Sequence, residues 1–286
     1  MCSPQVTEAV AERIRREGLP QLTRRGLLKT GGVAAAGLAL GGLALPARRA
    51  AASSEGWHVI DLSHVYSPNM PTYTPGEAPT VEPFVTVEAN GFLIQFWTLY
   101  EHSGTHVDFP AHFIADGTTV DNYDPNLLLA PAVVIDISAK AADDADAMLT
   151  LEDIEAYEAA NGQIPEGAVV FMNSGWAARW PGEDYRNADA DGGQHYPGFS
   201  GEAAAWLIEN RGINGIGVDT LSLDPGNSAT FDTHYTILGA GKFGAENVGN
   251  LDALAAAEGA MVVIGIPRWE GSGGGPARVL ALVPGM

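Results

Sequence analysis

His102-Ser103-Gly104-Thr105-His106-Val107-Asp108-Phe109-Pro110-Ala111-His112 places three imidazoles and one carboxylate within eleven residues of a chain that has only seven histidines. Neutral imidazole and carboxylate are the usual protein ligands of Zn²⁺, and they also suit Mn²⁺ and Fe²⁺. In an extended backbone His106 and Asp108 point to the same side, because side chains alternate along a strand. A helix would align His102 with His106, but Gly104 and Pro110 argue against one running through the segment. The stretch therefore reads as a tight turn entering an extended run, with its side chains converging on one point.

Outward from this cluster the pattern is mostly strand. Residues 81–88 and 92–99 are rich in β-branched and aromatic side chains, and Asn90-Gly91 between them signals a hairpin that delivers the chain to His102. Residues 57–62 alternate like a first strand, and 67–83 read as a long Pro/Thr/Gly loop carrying Tyr73. Short apolar runs at 132–137, 168–172, 213–218, 261–266 and 279–283 read as buried strands. Thr150 with Asp153 resembles a capping box opening a helix over 151–160 that Gly162 closes. Ser200 caps a second helix that ends at Gly212, and a short one follows Asn250. Residues 180–199, rich in Gly, Asp, Asn, Tyr and Pro, read as a loop or lid. The Gly-rich 271–276 lacks the Lys and the strand-to-helix context of a phosphate loop and reads as a structural connection. Mixed hairpin-like and strand–helix–strand units predict one α/β (α+β) domain whose sheet curls towards a barrel.

The first 52 residues read as targeting, not fold. Thr23-Arg24-Arg25-Gly26-Leu27-Leu28-Lys29 resembles a twin-arginine export signal, an apolar stretch at 31–45 follows, and Ala50-Ala51-Ala52 offers a small-residue cleavage site. The expected mature chain is 53–286, extracytoplasmic, with no stable membrane anchor. The only cysteine, Cys2, leaves with the signal, so no disulfide framework and no thiolate metal site are expected. Segment 1–52 holds 8 of the 15 Lys+Arg and 3 of the 35 Asp+Glu, leaving 7 against 32, a formal charge of −25. Such a surface repels nucleic acid and anionic membranes.

Four stretches, spanning most of the expected mature chain, resemble the metal-dependent cyclase/hydrolase family that includes bacterial kynurenine formamidase (arylformamidase). They are Asp61-Leu62-Ser63-His64 with Pro71 to Gly76; the His102–His112 motif; Pro197 to Ser200 through Gly217 to Asp224; and His234 followed by Glu246 to Asp252. The resemblance implies a swivelling β/β/α fold with a barrel-like mixed sheet, assembled as a homodimer or larger. It implies that His102, His106 and Asp108 are the primary metal ligands. Asp108 would bridge to a second metal held by His234 and Glu246, and His112 would move protons. Tyr73 or Thr74 matches a position that contacts substrate, a one-residue offset before Pro75-Gly76 leaving the choice between them open.

The residues alone also favour a hydrolase. Two imidazoles and a carboxylate leave open positions on a divalent metal, which acidifies bound water towards a pKa of ~7 and polarises a carbonyl. A neighbouring His such as His112 can carry the proton, although it could instead be a ligand or a partner of Asp108. Asp219 and Ser222 follow a buried strand and could orient the metal's ligands, bind a substrate oxygen, or hold a turn. His58, His64 and His195 read as structural or pocket-edge residues. No Gly-x-Ser-x-Gly elbow is present, which disfavours a serine nucleophile. The expectation is an exported hydrolase with one or two Zn²⁺ or Mn²⁺ per chain, cleaving the C–N or C–O bond of an amide, lactone or cyclic imide. A metal-dependent cyclase or dehydratase is the alternative reaction, and a non-catalytic metal- or ligand-binding protein the alternative class.

Overall fold

The computed structural model describes residues 56–285. The expected export segment 1–52 lies outside them. The strands are β1 (Trp57–Asp61), β2 (Thr80–Val85), β3 (Ile94–Thr98), β4 (His106–Asp108), β5 (Leu129–Asp136), β6 (Met148–Leu149), β7 (Val169–Asn173), β8 (Gly198–Phe199), β9 (Gly215–Val218), β10 (Phe243–Glu246), β11 (Met261–Gly265), β12 (Gly274–Pro276) and β13 (Arg278–Pro284). The helices are α1 (Val87–Asn90), α2 (Ser138–Asp143), α3 (Leu151–Asn161), α4 (Gly201–Arg211), α5 (Asp232–Gly239) and α6 (Leu251–Ala255). Among the described residues no helix is long and apolar enough to cross a membrane.

Nine strands form one mixed sheet in the order β1-β13-β11-β5-β7-β9-β10-β4-β12, curled into a half-barrel. The centre, β5-β7-β9-β10, is parallel, and antiparallel strands flank it on both sides. β7 reads Val-Val-Phe-Met-Asn with every residue buried, as a strand covered on both faces should. Its side chains alternate between two cores. Val169 and Phe171 join Val107, Phe109, Val262 and Val279 inside the curl. Val170 and Met172 join Ile154, Leu207, Ile237 and Leu238 under the helices on the other face. Each fully buried side chain of this size contributes ~1.5–3 kcal/mol relative to exposure.

The helices expected over 151–160 and from Ser200 to Gly212 start and stop where the sequence indicates, whereas α2 and α5 were not expected. Asp153 accepts from the Thr150 backbone N–H at 2.8 Å, Ser200 Oγ accepts from Ala203 N–H at 3.1 Å, and Gly212 ends α4 in the left-handed conformation. Arg211 and Glu158 join α4 to α3 through two contacts of 2.6 and 2.7 Å.

Residues 81–98 form a separate compact unit, a two-stranded ribbon of β2 and β3. The expected hairpin is there, but its first strand stops at Val85. Thr86 caps the helical turn α1, its Oγ accepting from Ala89 N–H at 3.4 Å, and Gly91 closes that turn at φ 81°. The connection is therefore longer than a two-residue Asn-Gly turn.

Two further expectations are corrected. The Gly-rich 271–276 is more than a connection: Gly274–Pro276 is β12, paired to β4. Residues 180–199 are not a free lid. Tyr185 and Tyr196 are fully buried and pack with Trp176 and Leu221, and Trp176 Nε1–H donates to the Tyr185 carbonyl at 2.7 Å.

Candidate metal centre and active site

The site is built on β4 and its two neighbours. Glu246 of β10 and Pro276 of β12 lie directly across from His106, while Gly244 and Gly274 lie across from Asp108. Directly opposed residues share a face, so Glu246, His106 and Asp108 project to the same side. The glycines leave that side clear. A Cβ on Gly244 would come within 2.3 Å of Leu223, and one on Gly274 within 2.5 Å of the His102 ring.

The turn before β4 is as tight as its sequence suggests. Gly104 takes φ 64°, and a Cβ there would meet Tyr66 at 2.7 Å. Its carbonyl accepts from His106 Nδ1 and from Asn247 Nδ2, each at 2.9 Å. The turn and the residue after Glu246 are thus tied together, and His106 keeps Nε2 for the centre.

Five side chains converge. His102 Nδ1 lies 2.6 Å from Asp108 Oδ1. His106 Nε2 lies 3.3 Å from Asp108 Oδ1 and 3.3 Å from Glu246 Oε2. His234, on α5, sets its Nε2 3.3 Å from Asp108 Oδ2 and 3.2 Å from Glu246 Oε1. Each carboxylate therefore presents one oxygen towards His106 and the other towards His234. His112 sits on the turn Pro110–His112, its ring stacked on His102 at 3.6 Å and open to the cavity above.

This donor set fits a cation. His102, His106 and Asp108 offer ligand atoms within 4.8 Å of one another, and so do Asp108, His112 and His234. Asp108 Oδ2 is buried and accepts no hydrogen bond among the described residues. Burial works against both carboxylates, but their imidazole neighbours hold Asp108 well below the usual carboxylate range and Glu246 below it. In return, although burial opposes it, Asp108 and Glu246 push His106 up to about 10.

Residues of the resemblance that carried no role gain one here. Asp224 Oδ2 lies 2.5 Å from His234 Nδ1, and the same carboxylate accepts from the Thr233 and His234 backbone N–H groups at 2.8 and 3.1 Å. It positions both the helix start and the ring. Leu223 N–H donates to Glu246 Oε1 at 2.9 Å.

A cavity of about 250 Å³ opens over the centre, lined by Tyr73, His112, Phe113, Ser222 and Phe231 among others. Phe113 stacks on His234 at 4.6 Å and leans on Phe231 at 5.6 Å, forming an aromatic wall. Thr74 is exposed and does not line the cavity; its carbonyl accepts from the Thr72 hydroxyl at 2.8 Å. Asp219 serves a turn, accepting from Ser174 and from the Trp176 and Ala177 N–H groups. His64 stacks on Trp180 at 4.4 Å, and His195 bridges Asp146 and Asp189.

With the centre in place, the comparison with known proteins is direct. The Cyclase family model matches residues 60–225, which contain the His102–His112 motif. The chain belongs to the Cyclase family. This Cyclase-family chain is 35% identical over 245 residues to the isatin hydrolase of Roseibium aggregatum, covering 79% of this chain and 92% of that protein. It is 27% identical over 214 residues to the kynurenine formamidase of Delftia acidovorans, covering 74% and 88%. Isatin hydrolase A from Ralstonia solanacearum has the same fold, with a TM-score of 0.76 and 32% identity over 85% of this chain and all of that one. The Cyclase-family chain is accordingly an enzyme, a hydrolase.

Proposed function

We propose that this enzyme opens the C–N bond of a compact aromatic lactam, cyclic imide or aryl amide, with a divalent cation such as Zn²⁺ or Mn²⁺ held by His102, His106 and Asp108 and a second site formed with His234 and Glu246. The observation that carries the reading is His112: a ring open to the cavity, stacked beside a ligand histidine, whose pKa burial lowers. Burial favours its neutral form, the form that can take up a proton.

When bound, the cation supplies a Lewis acid for the carbonyl and an acidified water. The chain's own groups do the rest. His112 accepts the proton of the attacking water and returns it to the departing nitrogen, a step typically worth ~10²–10⁴ in rate. Ser222 Oγ accepts from Asp224 N–H at 3.3 Å and keeps its own proton for a substrate oxygen. Phe113 and Phe231 offer an apolar wall for an aryl ring. Water adds across the amide, giving a carboxylate and an amine. The names of the relatives support the substrate class.

Export through residues 1–52 and homodimeric assembly complete the proposal. Cell fractionation of an Arg24→Lys/Arg25→Lys variant tests the first, and sedimentation of the mature protein the second. For the activity, the test is turnover of isatin-type lactams, aryl formamides and lactones with and without a chelator, alongside elemental analysis of metal per chain. Chelator-sensitive hydrolysis is expected. Turnover that survives complete metal removal would refute the mechanism.

A further inference from the structure

The three imidazoles of the centre do not present the same nitrogen. His106 and His234 have Nδ1 engaged, by the Gly104 carbonyl and by Asp224, and turn Nε2 inwards. His102 is reversed. Its Nδ1 faces Asp108, and its Nε2 points away, buried and with no hydrogen bond among the described residues. The group that Nε2 faces is Glu101, whose Oε1 lies 3.4 Å away. The ring has little freedom to turn, because His112 stacks on its face and Gly274 lies against its Cε1 edge.

Glu101 is itself held. Its Oε2 lies in short contact with the Ser272 hydroxyl, which divides its one proton between Glu101 and the Gly274 carbonyl 2.5 Å away, and Ser272 Oγ accepts from Gly274 N–H at 3.3 Å. Asp108 lies nearer, 2.6 Å from Nδ1, but once it is committed to a cation the carboxylate left facing His102 is Glu101, which favours a proton on Nε2 and opposes a lone pair there. A neutral imidazole has one N–H and one lone pair, so fixing one nitrogen fixes the other.

We infer that Glu101, anchored by Ser272, is the positioning residue that keeps the His102 proton on Nε2 and so makes Nδ1 the nitrogen His102 offers to the cation. The inference rests on the metal-centre reading and deepens it. It also accounts for the Gly-rich stretch, in which Gly274 makes room for the ring and Ser272 sets the carboxylate that orients it. Carboxylate–histidine–metal relays of this kind typically account for 10–100-fold in metal affinity.

The experiment measures Zn²⁺ affinity of the mature protein by chelator competition for the unaltered chain, Glu101→Ala, Glu101→Gln, Ser272→Ala and a distant control, Glu155→Ala, on the exposed face of α3. Thermal melts confirm that each variant folds. Glu101→Ala is expected to weaken binding about 10–100-fold, Glu101→Gln to recover part of the loss because its amide oxygen still accepts, and Ser272→Ala to fall between. Glu155→Ala, which removes the same charge at a distance, is expected to bind as the unaltered chain does. In the Zn²⁺-loaded protein, ¹⁵N–¹H two-bond correlations should show His102 protonated at Nε2. Unaltered affinity in Glu101→Ala, an equal loss in Glu155→Ala, or a His102 bound through Nε2 would each overturn the inference. Failure of the unaltered chain itself to take up metal would overturn the metal-centre reading beneath it.

Discussion

His234 Nδ1 lies 2.5 Å from Asp224 Oδ2, and this contact turns the opposite ring nitrogen towards Asp108 and Glu246. The pair spans ten residues of sequence and joins the loop after β9 to the first turn of α5. Asp224→Ala should therefore weaken metal binding by about 10–100-fold, as loss of a partner to a ligating histidine usually does. Chelator competition measures it; native affinity in the variant would remove Asp224 from the centre.

His112→Ala should lower turnover by about 10²–10⁴ while leaving the metal content as it was. Elemental analysis beside initial rates separates the two roles its position allows. Loss of metal together with activity would make His112 a ligand, given that it shares a donor set with Asp108 and His234.

Gly274→Ala would put a Cβ 2.5 Å from the His102 ring and 2.6 Å from the Val107 carbonyl oxygen. The second neighbour is backbone and cannot move aside cheaply. The expected cost is about 1–3 kcal/mol of stability, as for other overpacked sites, with weaker metal binding because the ring is displaced. Denaturant titration and chelator competition check the two effects; a variant unchanged in both would show that β12 adapts.

Burial lowers His64 from 6.5 to about 4. A histidine depressed in the folded state favours folding while it is neutral. Its contribution is complete above pH 6.5 and is lost as the pH falls from 6.5 towards 4, because the unfolded chain binds the proton first. Urea midpoints at pH 7 and pH 5 should fall for the native chain and fall less for His64→Gln. An identical pH dependence in both would assign the acid sensitivity to other groups.

Metal affinity should rise with pH across the neutral range. His106 is pushed up to about 10 and His234 well above its usual value, so both must shed protons to bind a cation. Calorimetry in buffers of different ionisation enthalpy should register proton release. Binding without it would mean that the imidazoles are already neutral.

Local patterns carried much of this into the sequence. Alternation alone put His106 and Asp108 on one side of β4, and Ser200, Asp153, Gly162 and Gly212 marked helix ends because capping is a matter of a few neighbouring residues. What stayed hidden depends on partners far along the chain. Gly244 and Gly274 look like ordinary glycines until Leu223 and His102 are placed against them. Residues 180–199 read as a loop or lid; they are largely loop, but Tyr185 and Tyr196 are anchored in a core that closes only in three dimensions. Asp219 and Asp224 are both buried aspartates, and only their partners tell a turn-holder from a ring-holder.

The pairing of β1 with β13 sets Trp57 beside Pro284. The first and last strands are thus neighbours, and β12, which with β4 frames the candidate metal centre, runs into β13 after the single residue Ala277. Joining Trp57 to Pro284 by a brief linker and opening the chain at an exposed loop would yield a circular permutant that keeps the strand pairing around the candidate site.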